Sequence, residues 1–511
     1  MKNSLLRENG FLPLLIAYSA PFLNQSLVTV AVPDLAKAFE ASASELLWVV
    51  NLSAGVGGVL MLVFGPLADQ LQTKRLFVVG SLILSSATLL SIGAWSLPVL
   101  MSARALTGVG SAMILPSAYS LAMKIASREQ TAHAVALLST ASTAGFVLGP
   151  VLSAMIITKL SWRGSFFPVV ICMAISLLML PKGEHPKEES NQSIRTALST
   201  FDWKGVFLLF CLSGLSLFTL ERLLSFDWWA AALTAGLLTT NYLAIKAHFR
   251  SSLTPVISLS VLRNPGFLWP VAMIVLTQMV YSAYLYLTPI LLQLTQGVSS
   301  FNIGILLFAV TSTGVFISLK TSELGQRVGK KILIRRSLHV TILTLCLLSL
   351  SVAFPPKAGF ILLFTLISLL ISFVSPINIL MISNLIRSFP ESRSSTASAV
   401  LAFVIRYGYL FGTIIASHIS HTIYQNKLQG LTNSLSTDQK TKLLRSLGSA
   451  VSESAGLGAA GHGNLVAMAK SAFSMGYATS LLGIAIIVGI VSLIYRYIGS
   501  ENTKEILEPE G

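Results

Sequence analysis

The stretch that decides the fold is residues 359–386, GFILLFTLISLLISFVSPINILMISNLI, which runs without a single charged side chain. An α-helix needs about 20 mostly apolar residues to cross the hydrocarbon core of a bilayer. A backbone surrounded by lipid must also satisfy its own hydrogen bonds, which leaves helices and closed barrels as the spanning structures. The stretch therefore predicts a transmembrane helix.

Thirteen more stretches of this kind fill most of the chain. The fourteen predicted spans are 11–32, 46–66, 76–94, 97–123, 131–158, 164–181, 203–220, 228–246, 267–292, 301–319, 332–354, 359–386, 396–424 and 472–496. Barrel strands are short alternating segments rather than apolar runs of this length. Because the composition is 53% hydrophobic and only 11% charged, we predict an all-α polytopic membrane protein with 14 transmembrane helices.

The first span and the cysteines bear on how the chain is processed. The first span is followed by the polar segment Asp34–Glu45 and lacks the small-residue cleavage pattern of a signal peptide, so we expect it to be retained. Cys172, Cys211 and Cys346 all fall within predicted helices. This placement indicates buried free thiols rather than a disulfide framework.

The net charge of +15 reports membrane topology rather than nucleic-acid binding. With the N-terminus in the cytoplasm, 23 of the 35 Lys and Arg residues fall in inside segments, 10 in outside segments and 2 within helices. Five of the outside ten lie in or beside the long segment 425–471, where the positive-inside rule loses force. The bias predicts that both termini are cytoplasmic, and we expect no nucleic-acid partner.

The first six and last six helices look like two copies of one unit. Helix 5 carries Gly145-Phe-Val-Leu-Gly149, and helix 13 carries Gly408-Tyr-Leu-Phe-Gly412. Such internal symmetry is typical of secondary transporters, whose substrate site lies at the interface of the repeats. The predicted domains are an N-terminal six-helix bundle (1–181), a cytoplasmic linker (182–202), inserted helices 7 and 8 (203–250), a C-terminal six-helix bundle (251–499) with an external loop (425–471), and a cytoplasmic tail (500–511).

Several motifs resemble those of one transporter family. The loop Gly65-Pro-Leu-Ala-Asp69…Lys74-Arg75 is similar to G-x-L-x-D…R-[KR], and Arg104-Ala-Leu-Thr-Gly108-Val-Gly110 in helix 4 is similar to R-x-x-x-G-x-G. Helix 5 has Gly145-Phe-Val-Leu-Gly149-Pro150, which resembles the G-x-x-x-G-P motif of antiporters. In this order the set resembles the major facilitator superfamily, and segments 162–167, 220–228 and 255–264 resemble its 14-helix drug:proton antiporter branch. The likeness spans residues 20 to 495.

The chain departs from the branch in two places. Branch members usually carry an acidic residue in helix 1, where this chain has Asn24. The loop motif lacks its basic residue after Asp69, which is Gln70 here, and its glycine, which is Gln72. These altered neighbours indicate a weaker cytoplasmic contact.

The resemblance implies an inner-membrane exporter of lipophilic small molecules that works by alternating access with proton antiport. The alternative is an exporter or facilitator of one metabolite, such as a siderophore, with weak or absent proton coupling, which Asn24 keeps open. A membrane sensor without transport is a third hypothesis, and no extra soluble domain supports it. We expect no enzymatic activity, cofactor or metal site, because the sequence shows no nucleotide-binding glycine loop, metal-ligand cluster or nucleophile–base set.

Proton antiport requires a group that is charged in one step and neutral in the next, which a buried carboxylate provides. None of the 20 acidic residues lies at the middle of a predicted helix. Asp34 and Glu221 lie nearest, each at the outer end of its helix, and the resemblance supports Glu221 because the branch often has an acid–Arg pair there. The competing interpretation is an ordinary interfacial pair of Glu221 and Arg222. Three histidines within helices rank lower, as interior histidines are more often structural: His339, His418 and His421.

Arg104 and Arg406 lie well inside predicted helices, away from the helix ends. A charge at the bilayer centre is costly unless it faces a cavity or a partner, so Arg104 is a candidate for the proton path, where it would favour the ionised form of a nearby carboxylate. In the structural alternative its guanidinium bonds to the polar face of helix 1, with Asn24 or Thr29 as acceptor. For Arg406 in helix 13, a tethering role is favoured over anion binding.

Small residues and one loop are the candidates for conformational change. Gly145, Gly149 and Ser153 give helix 5 a small face that lets another helix approach closely, and Pro150 bends the helix. Gly408 and Gly412 are expected to do the same for helix 13.

The loop after helix 2 is expected to control the cytoplasmic side. Asp69 is predicted to precede helix 3 and to cap its free N–H groups. By the resemblance, Asp69 with Lys74 and Arg75 would hold the two halves together on that side.

The substrate pocket is predicted from polar and aromatic residues in helices that usually line the cavity: Asn24, Gln25, Asn51, Gln278, Tyr281, Tyr284, Asn378, Arg406 and Tyr407. Aromatic and amide side chains suit a bulky amphipathic ligand, while some of these tyrosines would instead serve as interfacial anchors. The expected partners are a small-molecule substrate, the lipid bilayer and a periplasmic adaptor protein of the kind that some relatives use.

Overall fold

The computed structural model describes residues 10–70, 73–126, 130–181, 202–224, 227–251, 265–353, 360–388, 394–429 and 459–501, together with Leu444 and Leu447. Its long helices, numbered in chain order, are α1 (Phe11–Ala38), α2 (Ala43–Gln70), α3 (Thr73–Ile92), α4 (Leu97–Ile125), α5 (Thr131–Lys159), α6 (Phe167–Met179), α7 (Trp203–Leu224), α8 (Trp228–Ser251), α9 (Pro265–Ile290), α10 (Ser300–Val328), α11 (Lys330–Ser351), α12 (Phe360–Leu369 and Ser375–Arg387, joined by the 3-10 turn Leu370–Val374), α13 (Ser394–Gln429) and α14 (Ala459–Glu501). A 3-10 turn, Trp162–Phe166, leads into α6, and a π turn, Leu291–Thr295, extends α9.

These helices confirm the predicted all-α membrane fold. Within the described ranges, thirteen are long and apolar enough to cross a membrane. The other, α8, is 24 residues long but ends in the more polar sequence TTNYLAIKAHFRS. Most helices outrun their predicted spans: α13 reaches Gln429 and α14 begins at Ala459, so the predicted external loop is shorter at both ends. Nearly all of the predicted linker and tail lies outside the described residues.

Reciprocal capping sets the start of α2. Ser42 Oγ accepts from the Glu45 backbone N–H at 3.2 Å, while the Glu45 carboxylate accepts from the Ser42 backbone N–H at 2.7 Å. This capping box satisfies donors that a helix start leaves unpaired. The carboxylate also lies favourably at the positive end of the helix dipole.

Many hydroxyl side chains inside the helices bond to their own backbone. Thr88 Oγ1 donates to the Leu84 carbonyl at 2.7 Å, and Thr107 Oγ1 donates to the Ala103 carbonyl at 2.8 Å. The same bond recurs in α10 and α11. Each of these hydroxyls is satisfied one turn back along its own helix, so the helices carry Ser and Thr residues in apolar surroundings.

The chain forms two compact units. Unit 1 comprises Met1–Ala31, Trp48–Leu262 and Phe389–Tyr407, and unit 2 comprises Val32–Leu47, Arg263–Ser388 and Gly408–Gly511. The units follow contacts rather than the order of the sequence, so α1, α2 and α13 contribute residues to both. The predicted bundle boundaries, 1–181 and 251–499, remain predictions.

Each unit has its own packed interior. In unit 1, α3 packs on α4, and fully buried apolar side chains from α1, α3, α4 and α6 form its core, among them Leu27, Phe77 and Ile114. Also in unit 1, α7 and α8 pair as a helical hairpin. In unit 2, α14 packs on α11 and α9 packs on α12. Helices adjacent in the sequence and helices distant in it therefore both pack together within the units.

Candidate functional site

Arg104 on α4 is a fully buried cation with 0% exposure. Its Nη1 donates to Asn24 Oδ1 on α1, and its Nε donates to the Val49 carbonyl on α2 at 3.1 Å. Asn24 Nδ2 in turn donates to Thr88 Oγ1 on α3 at 3.4 Å. Arg104 thus joins α4 to α1 and α2, and Asn24 extends these contacts to α3. Asn24 is one of the two acceptors expected if Arg104 has a structural role.

The chemistry of this Arg104–Asn24 pair is fixed rather than switchable. A guanidinium keeps its charge at all physiological pH values, and an amide does not titrate. A buried charge is tolerated when hydrogen bonds compensate the lost hydration, and the amide and carbonyl oxygens supply such bonds. Arg104 therefore provides a constant positive charge inside unit 1, and a transferable proton has to reside on another group.

Arg406 on α13 lies against α2 within unit 1. Its Nη1 donates to the Ser53 carbonyl at 3.4 Å. Two glycines make room for this side chain: a Cβ on Gly57 would lie 2.6 Å from Arg406 Nη1, and a Cβ on Gly58 would lie 3.3 Å from Arg406 Cβ. This contact corresponds to the tethering role that we favoured for Arg406.

The nine predicted pocket residues divide between the two units. Unit 1 holds Asn24, Gln25, Asn51, Arg406 and Tyr407, and unit 2 holds Gln278, Tyr281, Tyr284 and Asn378. The structure brings Asn24 next to Arg104, as described above.

Several of these residues already have defined neighbours. Gln25 Nε2 donates to the Val50 carbonyl at 3.3 Å, and Asn378 Oδ1 accepts from Thr277 Oγ1 at 3.4 Å. Tyr407 stacks on a phenylalanine ring of the preceding turn, with centroids 4.3 Å apart. Each of these contacts gives its residue a packing role within its unit.

In unit 1 the glycines of α5 pack on α1. A Cβ added to Gly149 would lie 2.8 Å from Ser26 Cβ. Ser153 Oγ donates to the Leu27 carbonyl at 2.9 Å. Ser26 Oγ lies 3.1 Å from the Leu23 carbonyl of its own helix and 3.4 Å from the Gly145 carbonyl of α5. We call this contact the α1–α5 seam. The small face predicted for helix 5 lies in it, and Pro150 lies inside α5 beside it.

In unit 2 the glycines of α13 pack on α9. A Cβ on Gly408 would lie 2.9 Å from Val275 Cα, and a Cβ on Gly412 would lie 2.5 Å from Met279 Cα. Ser282 Oγ, at the same level, donates to the Met279 carbonyl of its own helix at 3.2 Å. In this α9–α13 seam, as in unit 1, the fifth helix of a predicted repeat packs on the first.

The predicted cytoplasmic loop residues are placed differently from one another. Asp69 belongs to the last turn of α2, which runs to Gln70, so it does not immediately precede α3 as expected. The side chain of Asp69 lies outside the described residues. Lys74 Nζ donates to the Pro181 carbonyl at 2.6 Å, whereas Arg75 is exposed.

Asp34 and Glu221, the two predicted proton-coupling acids, lie in different surroundings. Asp34 is half-buried on α1, and its Oδ2 is buried without a hydrogen-bond partner. The side chain of Gln293, on the π turn of unit 2, lies beside this carboxyl group. Glu221 is half-buried on α7, and the adjacent Arg222 pairs with Asp227 at 3.7 Å. Asp34 is therefore the more enclosed carboxylate.

Sequence reasoning missed a cavity within unit 2. His421 lines it together with hydroxyl side chains of α9 and α13, whereas His339 is exposed on α11. A helical spacing of polar residues along α13, from Ser417 through Ser420 and His421 to Tyr424, is the signal that could have indicated it. Across the described chain, no three His, Cys, Asp or Glu residues are grouped closely enough to hold a metal ion.

Comparisons with known proteins agree with this architecture. A family model described as Major Facilitator Superfamily matches residues 14–413. The chain is 24% identical over 482 residues to "Multidrug efflux pump LfrA" of Mycolicibacterium smegmatis, covering 93% of both proteins. It is 25% identical over 404 residues to "Putative multidrug resistance protein MdtD" of Klebsiella pneumoniae, covering 77% of this chain and 82% of MdtD.

Solved structures show the same fold at low sequence identity. A bacterial homolog of the human lysosomal transporter Spinster superimposes with a TM-score of 0.67 and 14% identity, covering 98% of both chains. The nucleoside transporter NupG gives a TM-score of 0.57 and 13% identity, covering 95% of this chain and 99% of its own. The expectations of an all-α transporter fold and of transport rather than catalysis are confirmed. The chain is a multi-pass membrane protein that belongs to the Major Facilitator Superfamily.

Proposed function

We propose that this protein is a secondary active exporter of lipophilic or amphipathic small molecules, working by alternating access and driven by proton antiport. The observation that carries the proposal is the similarity to LfrA, a multidrug efflux pump, over 93% of both chains. The similarity to MdtD points the same way. Aromatic and amide side chains among the predicted pocket residues suit ligands of this class.

Alternating access is supported by the repetition of one packing device in both units. The α1–α5 seam and the α9–α13 seam place glycines at equivalent positions. Repeats that share such packing can move as rigid bodies around a common site, which is how secondary transporters of this construction work. Gly145, Gly149, Gly408 and Gly412 are the residues that we assign to this movement.

Proton coupling is assigned to Asp34 and Glu221, with Arg104 as a fixed charge. The partly enclosed carboxylate of Asp34 supports its role, since one of its oxygens is buried without a hydrogen-bond partner. Glu221 remains in the proposal through its place beside Arg222 on α7. A carboxylate can bind a proton in one conformation and release it in another when its surroundings change.

The positive-inside bias supports an inner-membrane location with both termini in the cytoplasm. Export in this orientation moves substrate from the cytoplasmic to the outer side. A periplasmic adaptor remains a proposed partner, and a neighbouring gene that encodes one would support it.

Dye transport in inverted membrane vesicles tests the function. We expect uphill dye accumulation in the lumen only with an inside-acid gradient, as proton antiport requires. The variants Asp34→Asn and Glu221→Gln should each lower gradient-driven accumulation while dye exchange at equal pH continues. Unchanged uphill pumping in either variant would remove that residue from the coupling mechanism. Absence of dye flux in the wild type would favour a sensor.

A facilitator or exporter of one metabolite with weak proton coupling is the second candidate. The observation that favours it is the neutral Asn24 beside the buried Arg104. The variant Asn24→Asp would place a carboxylate in contact with the guanidinium and form a buried ion pair. If wild-type flux ignores pH and Asn24→Asp makes it pH-dependent, the second candidate is correct. Dye transport that is driven by a pH gradient in the wild type excludes this second candidate.

A further inference from the structure

A cavity of about 40 Å³ lies within unit 2, where the ends of α1, α9 and α13 meet the starts of α2 and α14. Aliphatic side chains and Phe473 form most of its wall. The polar lining consists of Tyr286, Ser417, Ser420, His421 and Tyr424. A volume of this size has room for about three water molecules.

His421 is the one imidazole among the described residues that line this cavity. Its side chain is half-buried, and its ring stacks on Tyr424 with centroids 6.3 Å apart and planes at 18°. Ser420, one residue before it, is 2% exposed, and its Oγ has no hydrogen-bond partner in the protein. One turn earlier on α13, His418 Nε2 is likewise buried and unpartnered. Buried polar atoms of this kind are normally satisfied by ordered water.

We propose that His421 binds and releases a proton during the transport cycle and that water in this cavity carries the proton to it. The inference rests on the proposed proton antiport and adds a proton-binding residue to it. In the proposed orientation the C-terminal ends of α1, α9 and α13 face the outer side. That side is the source of the protons that drive export.

The imidazole has the right chemistry for this step. An imidazole in water gains one proton and one positive charge between about pH 5 and pH 8, the range in which a cell's proton gradient operates. An imidazolium in a wall of aliphatic side chains loses hydration and is therefore destabilised while the cavity is closed. Proton binding therefore favours a form of unit 2 in which the cavity opens to water, and proton release favours the closed form.

The other titratable groups around His421 are less well placed to bind a proton in this cavity. Tyr286 and Tyr424 line the cavity, and His418 lies one turn away on the same helix. The remaining charged groups on the helices that surround the cavity, near the same end, are outside its described lining: Asp34, Lys37, Glu45, Lys427 and Lys470. Protonation in the cavity thus falls to His421 first.

The test uses the full-length protein in liposomes with the dye rhodamine 6G as probe. Two rates are measured: uphill dye transport driven by an imposed pH gradient, and dye exchange at equal pH. For His421→Gln we expect gradient-driven transport at the level of empty liposomes and exchange at the wild-type rate. The matched control is His339→Gln, on the exposed face of α11, which should behave as wild type in both assays.

Each outcome decides between the proposals. Gradient-driven transport by His421→Gln at the wild-type rate overturns the role of His421 and leaves the exporter function intact. If both His421→Gln and His421→Asn lose dye exchange at equal pH together with gradient-driven transport, His421 has a structural role. That result overturns the inference. A wild-type protein that shows exchange but no response to the pH gradient refutes proton antiport itself, independently of the variants.

Discussion

The two glycine seams have the same backbone spacing but different bonding. In unit 1 a hydroxyl crosses the seam, since Ser153 donates to a carbonyl of the facing helix, while Ser26 lies between a carbonyl of α5 and a carbonyl of its own helix. In unit 2 the hydroxyl at the seam, Ser282, donates to a carbonyl of its own helix. The interiors differ as well, because unit 1 buries the guanidinium of Arg104, whereas the buried Thr288 of unit 2 contacts a tyrosine hydroxyl. The two units therefore share the position of the close helix contact but differ in the polar contacts around it.

Removal of the buried cation should have the largest effect on this comparison. Arg104→Leu leaves two buried oxygens, those of Asn24 and Val49, without their donor, at about 1–3 kcal/mol each. We expect a lower melting temperature of the purified protein in detergent and loss of dye transport. In unit 2, Thr288→Val should cost only about 1 kcal/mol. An equal fall in melting temperature for the two variants would mean that the buried charge of unit 1 contributes no more than the neutral contact of unit 2. Arg335→Leu on the exposed face of α11 is the control.

Filling the seams should have the next largest effect, and it should be similar in both units. Gly149→Ala brings a Cβ against Ser26, and Gly412→Ala brings one against Met279. Overpacking of this kind costs about 1–3 kcal/mol, measured again as a lower melting temperature. The matched controls are Gly214→Ala on α7 and Gly236→Ala on α8, where an added Cβ meets nothing within 4 Å.

The control glycines lie in helices, where alanine is favoured over glycine by about 1 kcal/mol. Those variants should therefore melt at the wild-type temperature or slightly above it. A fall in melting temperature for the controls equal to that of the seam variants would contradict close helix approach as the cause.

The smallest expected effect separates the two seams from each other. Ser153→Ala removes a hydrogen bond that crosses the α1–α5 seam and leaves the Leu27 carbonyl without that donor, at about 1 kcal/mol. Ser282→Ala removes a bond within one helix and should leave the melting temperature nearly unchanged. Should Ser282→Ala prove the more destabilising variant, the contrast in bonding between the seams would be wrong.

The helices and some of their contacts could be predicted because the bilayer restricts the choices. Long apolar runs have to be helical, which identified each span. The polar face of helix 1 offers Asn24 or Thr29 as an acceptor for Arg104, because a buried cation needs a partner, and the structure places Asn24 there. The α5 glycines were predicted to lie at a close helix contact because small residues at four-residue spacing have few other uses.

The exact ends of the helices, and the contacts between segments distant in the sequence, could not be predicted from apolar runs. Hydropathy does not report where a helix continues past its apolar part, so α2 runs through Asp69 and α13 extends to Gln429. The His421 cavity is formed by helices from three separate parts of the sequence, α1 with α2, α9, and α13 with α14, and no single helix indicates a cavity. Asp34 likewise lies beside Gln293, which is distant in sequence, so the residues around Asp34 do not reveal this neighbour.

The hydroxyls that bond one turn back along their own helices bear on how the protein is made. A polar side chain that enters lipid during biosynthesis before its neighbours arrive would normally carry an unmet hydrogen bond. The hydroxyls of Thr88 and Thr107 have their acceptors on the same helix, four residues earlier. Each such helix can therefore enter the bilayer singly, before the helices that it packs against have been synthesised, without the cost of an unmet hydrogen bond.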